Sequence, residues 1–517
     1  MLVFCLIKAL LMIFLLPHCW SRKILVLPLQ FPSIVSMHET LGNALIEKGH
    51  EVTMVLPSSM PNFDKFSQGK IKVLSHEITG HDFYKEAENT TQDWSESMLG
   101  KYFTYVYRND IMSEGMADYC REAVKDQKLM AVLKKESFDL AIVDSNVVIR
   151  LYYLIPYILD IPYVSLNCER DSWTLRNTDL PSHVPFVLGT QYTNQMDFWQ
   201  RLDNTYKMID WALFPPWYNQ EDFFKSLVPD RSVSLDDLYR KSLLFFIDCD
   251  MVVDYPRATL PNEIILGGLT LRKPKPLPSD LEEMVTNAQD GVIVMSFGSS
   301  FPDRNIGDFM EVFRRLPHTI IWRFFGETPE NVPDNVKLLP WLPQHDLLAH
   351  EKTKLFITHC GGFGQHESVF FGVPMVGFPF SLDQMYNARR MEKHGFGIAL
   401  DITTFTQYDF FAAVKEVLDN PSYRNKTEKA SRIMQDRPLW PFEEATMWVE
   451  HVMKFGGDHL RPHVQDMPPY QILMIDVLAF ITCCATAMLF LFIFAVKYMY
   501  RSCCKSKTSV PDKMKQK

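Results

Sequence analysis

The chain has 517 residues with a formal net charge of −9 at pH 7, and 47% of its residues are hydrophobic. This length exceeds that of a typical single domain about threefold, so we expect two domains and additional segments. The hydrophobic content excludes a wholly disordered chain, and the acidic balance without a sustained Lys/Arg stripe argues against nucleic acid as a partner.

The two ends of the chain carry apolar segments of different kinds. Residues 1–21 combine Lys8 with a short apolar run, which predicts a secretory signal peptide; an uncleaved signal anchor is the alternative. Residues 477–496 contain no charge and span about 30 Å as a helix, which predicts a transmembrane helix. Basic residues outnumber acids in residues 497–517, so we expect a cytosolic tail, a single-pass type I topology and a luminal catalytic part.

Short patterns suggest a compartment. Residues 513–517, Lys-Met-Lys-Gln-Lys, resemble a dilysine retrieval signal and point to the endoplasmic reticulum membrane. The alternative is a solvated basic tail that carries no targeting signal. Residues 89–91 and 425–427 match the acceptor pattern of N-glycosylation. The luminal cysteines are too sparse to predict a disulfide scaffold or a zinc site: Cys120, Cys168, Cys249 and Cys360.

The first half of the chain begins as an α/β fold. A strand-like run at 23–28, a helical pattern at 41–48 and a second run at 51–56 form a βαβ unit, which predicts a parallel sheet. The later run 138–144 ends in Asp144. Chemistry in such sheets gathers at the carboxyl ends of strands, so Asp144 is a candidate functional residue in a first domain that we place at 22–270.

A proline-rich break predicts a linker at residues 271–285, because its prolines can neither extend a helix nor occupy a central strand. Strand-like runs then alternate with helical stretches, at 291–297, 319–322, 354–358 and 374–378. This alternation predicts a second α/β domain at 286–455, followed by a juxtamembrane segment at 456–476.

Two segments, 93–107 and 192–225, are dense in aromatic residues. Such clusters belong to a hydrophobic core in most proteins. The alternatives are an apolar pocket for a ligand or a patch that rests on a bilayer surface.

The second domain carries a glycine-rich turn. A strand at 355–358 runs into Gly361, Gly362 and Gly364, after which a helix can start. Glycines let the backbone approach a ligand, and a helix N-terminus favours a phosphate. His359 lies at this turn and can hydrogen-bond or neutralise an oxyanion. An ordinary βα connection is the alternative.

Taken together, these elements resemble the signature of the UDP-glycosyltransferases, in particular the metazoan microsomal UDP-glucuronosyltransferase branch. Further matching segments lie along nearly the whole chain, at 49–53, 254–257, 296–299, 322–324, 341–367 and 459–462. The resemblance implies an α/β fold of the GT-B type, with two Rossmann-like domains facing across a cleft, plus one C-terminal transmembrane helix. The first domain would bind the acceptor and the second domain the UDP-sugar.

The resemblance also implies an enzyme that moves a hexosyl group with inversion from a UDP-sugar to a small lipophilic acceptor. The UDP-sugar is then a donor substrate, and no cofactor and no metal are expected. Glucuronic acid is the first expectation for the sugar and glucose is the alternative, with Arg257 a candidate for binding a sugar carboxylate. Homo- and hetero-oligomers both stay open.

For the nucleotide, the resemblance implies four residues of the second domain. Trp341 would stack on uracil. Gln344 would hydrogen-bond the base or ribose, and Glu367 would bind the ribose hydroxyls. Arg323 would lie near the nucleotide.

Five residues would hold the remainder of the donor by the same resemblance. Ser299, His359 and the turn at Gly361 would hold the diphosphate. Asp383 and Gln384 would hydrogen-bond the sugar.

The chain departs from the family pattern at two positions. Phe363 replaces a small polar residue that touches phosphate in relatives. Ile34, sixteen residues before His50, stands where the family carries the histidine that removes the acceptor's proton, although Asp144 matches the aspartate that orients this base.

His38, one helical turn after Ile34, is the nearest replacement base. Either His38 serves as the base, or the base is absent and transfer to hydroxyls is poor while amines suffer less. A catalytically silent protein that binds UDP-sugar or another ligand is the further alternative, and His38 would then be an exposed polar residue near a helix start.

Overall fold

The computed structural model describes residues 21–60, 62–78, 111–168, 170–177, 179–187, 190–215, 218–230, 232–298, 306–380 and 383–505. The chain divides into two compact units, Met1–Arg461 and Pro462–Lys517. Several predictions therefore fall outside the described residues: the signal peptide apart from Ser21, the pattern at 89–91, the segment 93–107, Ser299 and the retrieval signal 513–517.

The first sheet of the larger unit is parallel, with the order β3-β2-β1-β4-β5-β6-β7. Most of its residues are buried, because helices cover both faces of the sheet. Its strands are Lys23–Leu27 (β1), Glu51–Pro57 (β2), Lys72–His76 (β3), Leu140–Asp144 (β4), Tyr163–Asn167 (β5), Phe245–Ile247 (β6) and Glu263–Ile265 (β7). The parallel pairing of β1 with β2 confirms the predicted βαβ unit.

Helices connect these strands. They are Pro32–Glu47 (α1), Phe63–Ser67 (α2), Ile111–Lys125 (α3), Gln127–Glu136 (α4), Leu154–Leu159 (α5), Ser172–Leu175 (α6), Phe198–Leu213 (α7), Tyr218–Leu227 (α8) and Leu235–Arg240 (α9), with a 3₁₀ helix at Val147–Tyr153. Helix α1 begins earlier than the predicted helical pattern at 41–48. Pro32 suits its first turn, where a missing N–H costs nothing.

The second sheet is also parallel, with the order β10-β9-β8-β11-β12-β13. Its strands are Val292–Ser296 (β8), Thr319–Arg323 (β9), Val336–Leu339 (β10), Thr353–Thr358 (β11), Met375–Gly377 (β12) and Gly397–Ala399 (β13). The helices that follow the first sheet are Ser279–Asn287 (α10), Ile306–Arg314 (α11), Gln344–Ala349 (α12), Gly362–Phe370 (α13), Gln384–His394 (α14), Gln407–Asp419 (α15), Pro421–Gln435 (α16) and Pro441–Phe455 (α17).

The chain returns to the first sheet after completing the second. Helix α17 lies within the predicted second domain, yet its buried residues Ala445, Val449 and Val452 belong to the core that contains β1 and β2. At the start of the predicted second domain, α10 begins at Ser279, which lies inside the predicted linker 271–285. The positions of the domain bounds stay predictions.

Ion pairs join the loop between β6 and β7 to helix α14 and to the segment between α16 and α17. Asp254 pairs with Arg390 of α14, and Arg390 also donates to Gln365 Oε1 at 3.1 Å. Asp250 pairs with Arg437 at 2.6 Å. The segment 254–257, which matches the family pattern, therefore helps to hold the two sheets together.

The smaller unit consists of a 3₁₀ helix at His463–Asp466, a short helix at Pro469–Ile472 (α18) and the long helix Ile475–Lys505 (α19). Residues Ile475–Cys503 form the one helix among the described residues that is long and apolar enough to cross a bilayer. The predicted span 477–496 lies within it. The acceptor pattern at 425–427 lies in the middle of helix α16, and its Thr427 is buried.

Candidate active site

The predicted donor residues follow the carboxyl ends of strands in the second sheet. Strand β8 ends at Ser296, β9 ends in Arg323, and β11 ends directly before His359. The order β9-β8-β11-β12 places these ends side by side. Ligands of open parallel sheets bind in the crevice outside such ends.

Two predicted nucleotide residues meet at the start of α12 and on α13. Gln344 Nε2 donates a hydrogen bond of 2.6 Å to Glu367 Oε2, and His345 Nδ1 lies 3.5 Å from Glu367 Oε1. Trp341, three residues before Gln344, is 60% exposed. The arrangement therefore offers an exposed indole three residues before Gln344, whose amide holds the Glu367 carboxylate.

A second group surrounds the imidazole of His359, which lies against two glycines. A Cβ added at Gly361 would lie 2.5 Å from His359 Nε2, and one at Gly298 would lie 2.9 Å from it. Arg323 donates to the Gly298 carbonyl. Burial is the main cause that lowers the pKa of His359 to about 4. A hydrogen bond with the Ser296 backbone raises this pKa, and the charge of Arg323 lowers it. His359 is therefore neutral at pH 7, a hydrogen-bonding group rather than a cation.

We expect Gly361→Ala to weaken binding of UDP by about 10- to 100-fold, because the new methyl group displaces the imidazole of His359. The backbone at Gly361 has φ −65°, so alanine itself is not strained there. Gly362→Ala is the matched control, since nothing lies within 4 Å of a Cβ at that position. Titration calorimetry with UDP measures both, and equal affinities in the two variants would contradict the role given to the His359 packing.

Asp383 and Gln384 lie at the start of α14. Asn387 Nδ2 donates to Asp383 Oδ2 at 2.5 Å and to the Cys360 carbonyl at 3.1 Å, which ties this helix to the turn after β11. Burial raises the pKa of Asp383 to about 6. Gln384 is buried and its Oε1 accepts a hydrogen bond from the Phe380 N–H, so its side-chain carbonyl supports the loop.

Phe363, which departs from the family pattern, lies in the first turn of α13 and packs against the core of the first sheet that includes α1 and α17. Its ring therefore contributes to contact between the two sheets. Ser299, predicted for the diphosphate, lies outside the described residues, and the roles of all the predicted site residues stay predictions.

His38, on α1, faces Asp144 at the carboxyl end of β4. His38 Nε2 lies 3.9 Å from Asp144 Oδ2, and both side chains are fully buried. Nδ1 of His38 contacts the Ile34 carbonyl at 3.0 Å. His38 is therefore not the exposed residue of the silent alternative, and in this arrangement its ring nitrogens are directed to Ile34 and Asp144.

Sequence reasoning missed Asn167, which orients Asp144. Asn167 closes β5 and donates a 2.6 Å hydrogen bond to Asp144 Oδ1, which also accepts from the Asn146 N–H at 2.8 Å. The sequence does indicate Asn167 as a candidate, because this polar residue ends an apolar run in the same way as Asp144 does. Desolvation raises the pKa of Asp144 to about 7 and lowers that of His38 to about 4.

These pKa shifts predict a pH-dependent effect of Asp144→Asn. A carboxyl whose folded pKa is raised contributes stability at low pH that is lost as the pH rises to about 7. Asparagine does not titrate, so the melting temperature of the variant minus that of the wild type is expected to increase between pH 5 and pH 8. Thermal unfolding in detergent measures this difference; a difference that does not vary with pH would contradict the buried, titrating carboxyl.

A cleft is lined by residues from both sheets, among them Asn146, Arg170 and Arg257 from the first and His366 and Asp383 from the second. Its walls also include Arg390, on α14. Neither His38 nor Asp144 lines it, although Asn146 follows Asp144 closely. Of the predicted donor residues that the structure describes, Asp383 lines this cleft, whereas Arg323, Trp341, Gln344, His359, Gly361, Glu367 and Gln384 do not.

Two parallel α/β sheets that share a cleft define the GT-B class of glycosyltransferases. Solved structures of this class are similar in fold: the calicheamicin glycosyltransferase CalG4 (TM-score 0.57, 16% identity, 84% of this chain and 98% of that chain) and a UDP-glucose:anthocyanidin 3-O-glucosyltransferase in complex with UDP (TM-score 0.55, 16% identity, 84% and 99%). The predicted fold class is confirmed.

The chain belongs to the family described as UDP-glucoronosyl and UDP-glucosyl transferase, whose model matches residues 22–510. Similar proteins are UDP-glucuronosyltransferase 1A8 of Homo sapiens (30% identical, 96% of this chain and 95% of the relative) and UDP-glucuronosyltransferase 2B17 of Rattus norvegicus (32%, 93% and 93%). The chain is therefore a hexosyltransferase, as predicted, and its UDP-sugar is a donor substrate rather than a cofactor. No cluster of three or more metal-ligating side chains occurs within the described part of the chain.

Proposed function

We propose that this enzyme transfers a glucuronosyl group from UDP-glucuronate, with inversion, to a small lipophilic acceptor. The observation that carries the choice of sugar is an arginine in the cleft with no carboxylate partner. The curated relatives named above are glucuronosyltransferases, which supports the same choice.

Three arginines line the cleft, and two of them have carboxylate partners. Arg170 pairs with Asp179 at 2.6 Å and with Glu263 at 2.9 Å, and Arg390 pairs with Asp254. For Arg257, no carboxylate among the described residues lies within ion-pair distance. Its side chain hydrogen-bonds Cys249 and is attracted by the more distant Asp179. A cleft-lining cation that lacks a carboxylate at ion-pair distance suits an anionic ligand, because a buried charge is stabilised by an opposite one.

Asp383 lines the same cleft, so Arg257 and a predicted sugar-binding residue face one volume. In the proposed complex Asp383 and Gln384 hydrogen-bond the sugar hydroxyls, and Arg257 binds the carboxylate of the sugar. His359, Gly361 and Ser299 hold the diphosphate as it leaves, with His359 as a neutral donor.

The uridine is proposed to lie against the exposed face of Trp341, with its ribose hydroxyls on Glu367. Gln344 already bonds Glu367, so ribose binding replaces or extends an existing hydrogen bond rather than ordering a free side chain. Arg323 acts through the Gly298 carbonyl and steadies the turn that precedes Ser299.

Arg257→Leu is expected to lower kcat/KM for UDP-glucuronate by about 10- to 150-fold, because it removes a hydrogen bond to a charged group. The kcat/KM for UDP-glucose is expected to change little. The assay follows both labelled donors with one acceptor in microsomes. Arg432→Leu, a surface change on α16, is the control. An equal loss with both donors, or a wild type that uses UDP-glucose alone, would refute glucuronate as the donor.

Proton removal from the acceptor is proposed to depend on the His38–Asp144 pair. With the pKa of Asp144 at about 7, the pair can take up a proton near neutral pH. Both side chains are fully buried, so neither touches an acceptor in this arrangement. Transfer to hydroxyls is therefore expected to be slow, and acceptors that are good nucleophiles before they lose a proton, such as neutral amines, are expected to be favoured.

We further propose that α19 anchors the enzyme in the endoplasmic reticulum membrane as a single-pass type I protein with a luminal active site. Support comes from the length and apolar composition of α19, from the excess of basic residues after 496 and from the terminal Lys-Met-Lys-Gln-Lys. Protease protection of the 22–461 part in intact microsomes tests this orientation.

A further inference from the structure

Two aromatic side chains are exposed just after neighbouring strands of the second sheet. Phe325 is 46% exposed and follows the end of β9 by two residues. Trp341 is 60% exposed and follows the end of β10 by two residues. Folded proteins bury most rings of this size, and the carboxyl ends of parallel strands are where ligands bind. The exposed rings therefore lie at the end of the sheet where a flat ligand can use them.

The pairing of β9 with β10 brings these two positions together. Leu339 lies opposite Arg323 in this parallel pair, and the Phe324 N–H donates to the Leu339 carbonyl at 2.9 Å. Positions 325 and 341 are each two residues beyond one paired position. Because neighbouring strands lie about 4.8 Å apart, the two aromatic side chains start from one small area at this end of the sheet.

The alternation of side chains along β9 directs Phe325 away from one core and toward the nucleotide side. Trp322 and Phe324 are buried in one hydrophobic core of the second sheet. Ile321 lies in the other core, to which α12 and α13 contribute. Since successive side chains point to opposite faces, Arg323 and Phe325 share the face of Ile321. Phe325 is thus on the side of the sheet that carries the predicted nucleotide residues of α12 and α13.

Arg323 supports the Phe325 ring. Its guanidinium lies 4.2 Å from the centroid of this ring, which is a cation–π contact. The same guanidinium donates to the Gly298 carbonyl, in the turn after β8. These two contacts tie the ring to the turn that precedes the predicted diphosphate site. A ring that is positioned before the ligand arrives loses little side-chain entropy on binding.

We propose that Phe325 is a second aromatic residue of the nucleobase site and packs on the uracil of the UDP-sugar together with Trp341. The inference rests on the proposed function, which places the uracil against Trp341. An indole covers one face of a base, so an aromatic ring from the neighbouring strand end adds a separate contact. Stacking of a base on one aromatic side chain is worth about 5- to 150-fold in affinity.

This contact assigns Phe325 and Arg257 to different tasks. Stacking on the uracil is the same for every UDP-sugar, whereas Arg257 is proposed to distinguish the sugars. The base does not react, so its contacts stabilise the bound substrate and the transition state equally. Loss of the Phe325 ring is therefore expected to raise KM for the UDP-sugar and to leave kcat unchanged.

Titration calorimetry with the full-length protein in detergent tests the contact. Phe325→Ala is expected to weaken the binding of UDP by about 5- to 150-fold, whereas Phe325→Tyr keeps an aromatic face and is expected to retain the affinity. Ribose 5-diphosphate, which has no base, is expected to bind Phe325→Ala and the wild type equally, as measured by competition with the UDP-sugar. Tyr408→Ala, at an exposed aromatic residue of α15, is the matched control and is expected to bind UDP as the wild type does.

Trp341→Ala separates this inference from the proposed function. If Trp341→Ala weakens the binding of UDP and Phe325→Ala does not, the inference is wrong and the proposed base site stands. If UDP does not bind the wild type, or if neither variant changes its affinity, the proposed base site itself is refuted. An equal loss of affinity for UDP and ribose 5-diphosphate in Phe325→Ala would show a structural role and would also overturn the inference.

A gain-of-signal variant guards against loss of structure in Phe325→Ala. Phe325→Trp in the Trp341→Phe background places a new indole at the proposed contact, and the difference in emission from Trp341→Phe alone reports it. UDP is expected to quench this emission because the base stacks on the indole, and ribose 5-diphosphate is expected to leave it unchanged. An indole at position 325 that does not respond to saturating UDP would overturn the proposal.

Discussion

Ile34→His is expected to raise the rate of glycosyl transfer to phenols by about 10²- to 10⁴-fold, the usual contribution of a positioned general base. Ile34 lies in the first turn of α1, four residues before His38, and such residues share one face of a helix. An imidazole at position 34 therefore lies on the face that already points to Asp144. The measurement is kcat/KM for a series of phenols with labelled UDP-sugar.

Acceptor chemistry supplies the control for this substitution. An amine that is unprotonated at assay pH needs no base before attack, so its rate is expected to change little in Ile34→His. His38→Ala tests the existing pair and is expected to lower transfer to phenols with UDP affinity retained. If Ile34→His leaves the rates with phenols unchanged and His38→Ala abolishes transfer to phenols, then His38 is the native base and a histidine at position 34 adds nothing to it.

Arg390→Met is expected to cost about 3–5 kcal/mol of stability, because it leaves the carboxylate of Asp254 buried without its cation. The substitution also removes a donor to Gln365. Arg389→Met is the matched control: Arg389 is the preceding residue of α14, is exposed and pairs with Glu392 at 2.9 Å. Such a surface pair contributes about 0–1 kcal/mol.

The melting temperature of the detergent-solubilised protein, followed by intrinsic fluorescence, ranks these variants. The double variant Asp254→Leu with Arg390→Met removes both charges and is expected to recover much of the loss, because an apolar pair needs no compensation. Equal melting temperatures for Arg389→Met and Arg390→Met would argue that the ion pair does not hold the sheets together.

The fold was largely predictable from local pattern. Apolar runs of four to six residues separated by helical stretches predict parallel strands, and the structure confirms both sheets. The position of Asp144 at the end of β4 followed from the same pattern. The meeting of Gln344 with Glu367 did not, because it depends on how α12 packs beside α13, and sequence spacing carries no information on that contact.

The burial of His38 follows from the apolar pattern of α1. Val35, His38, Leu41 and Leu45 recur at helical spacing and are all buried. A helix started at Pro32 would have placed His38 on the apolar face, which contradicts an exposed residue near a helix start. By contrast, Arg257 hydrogen-bonds Cys249 but has no described carboxylate within ion-pair distance, which depends on how the segments around the cleft pack, and no spacing predicts it.

The attachment of α17 to the first sheet bears on how the protein is made. The core around β1 and β2 lacks Ala445, Val449 and Val452 until residue 455 has been synthesised, about 190 residues after β7. At the ribosome's usual pace this interval lasts roughly 10–40 s. During translation the nascent first sheet therefore waits with an open apolar face, which makes it a natural client for chaperones.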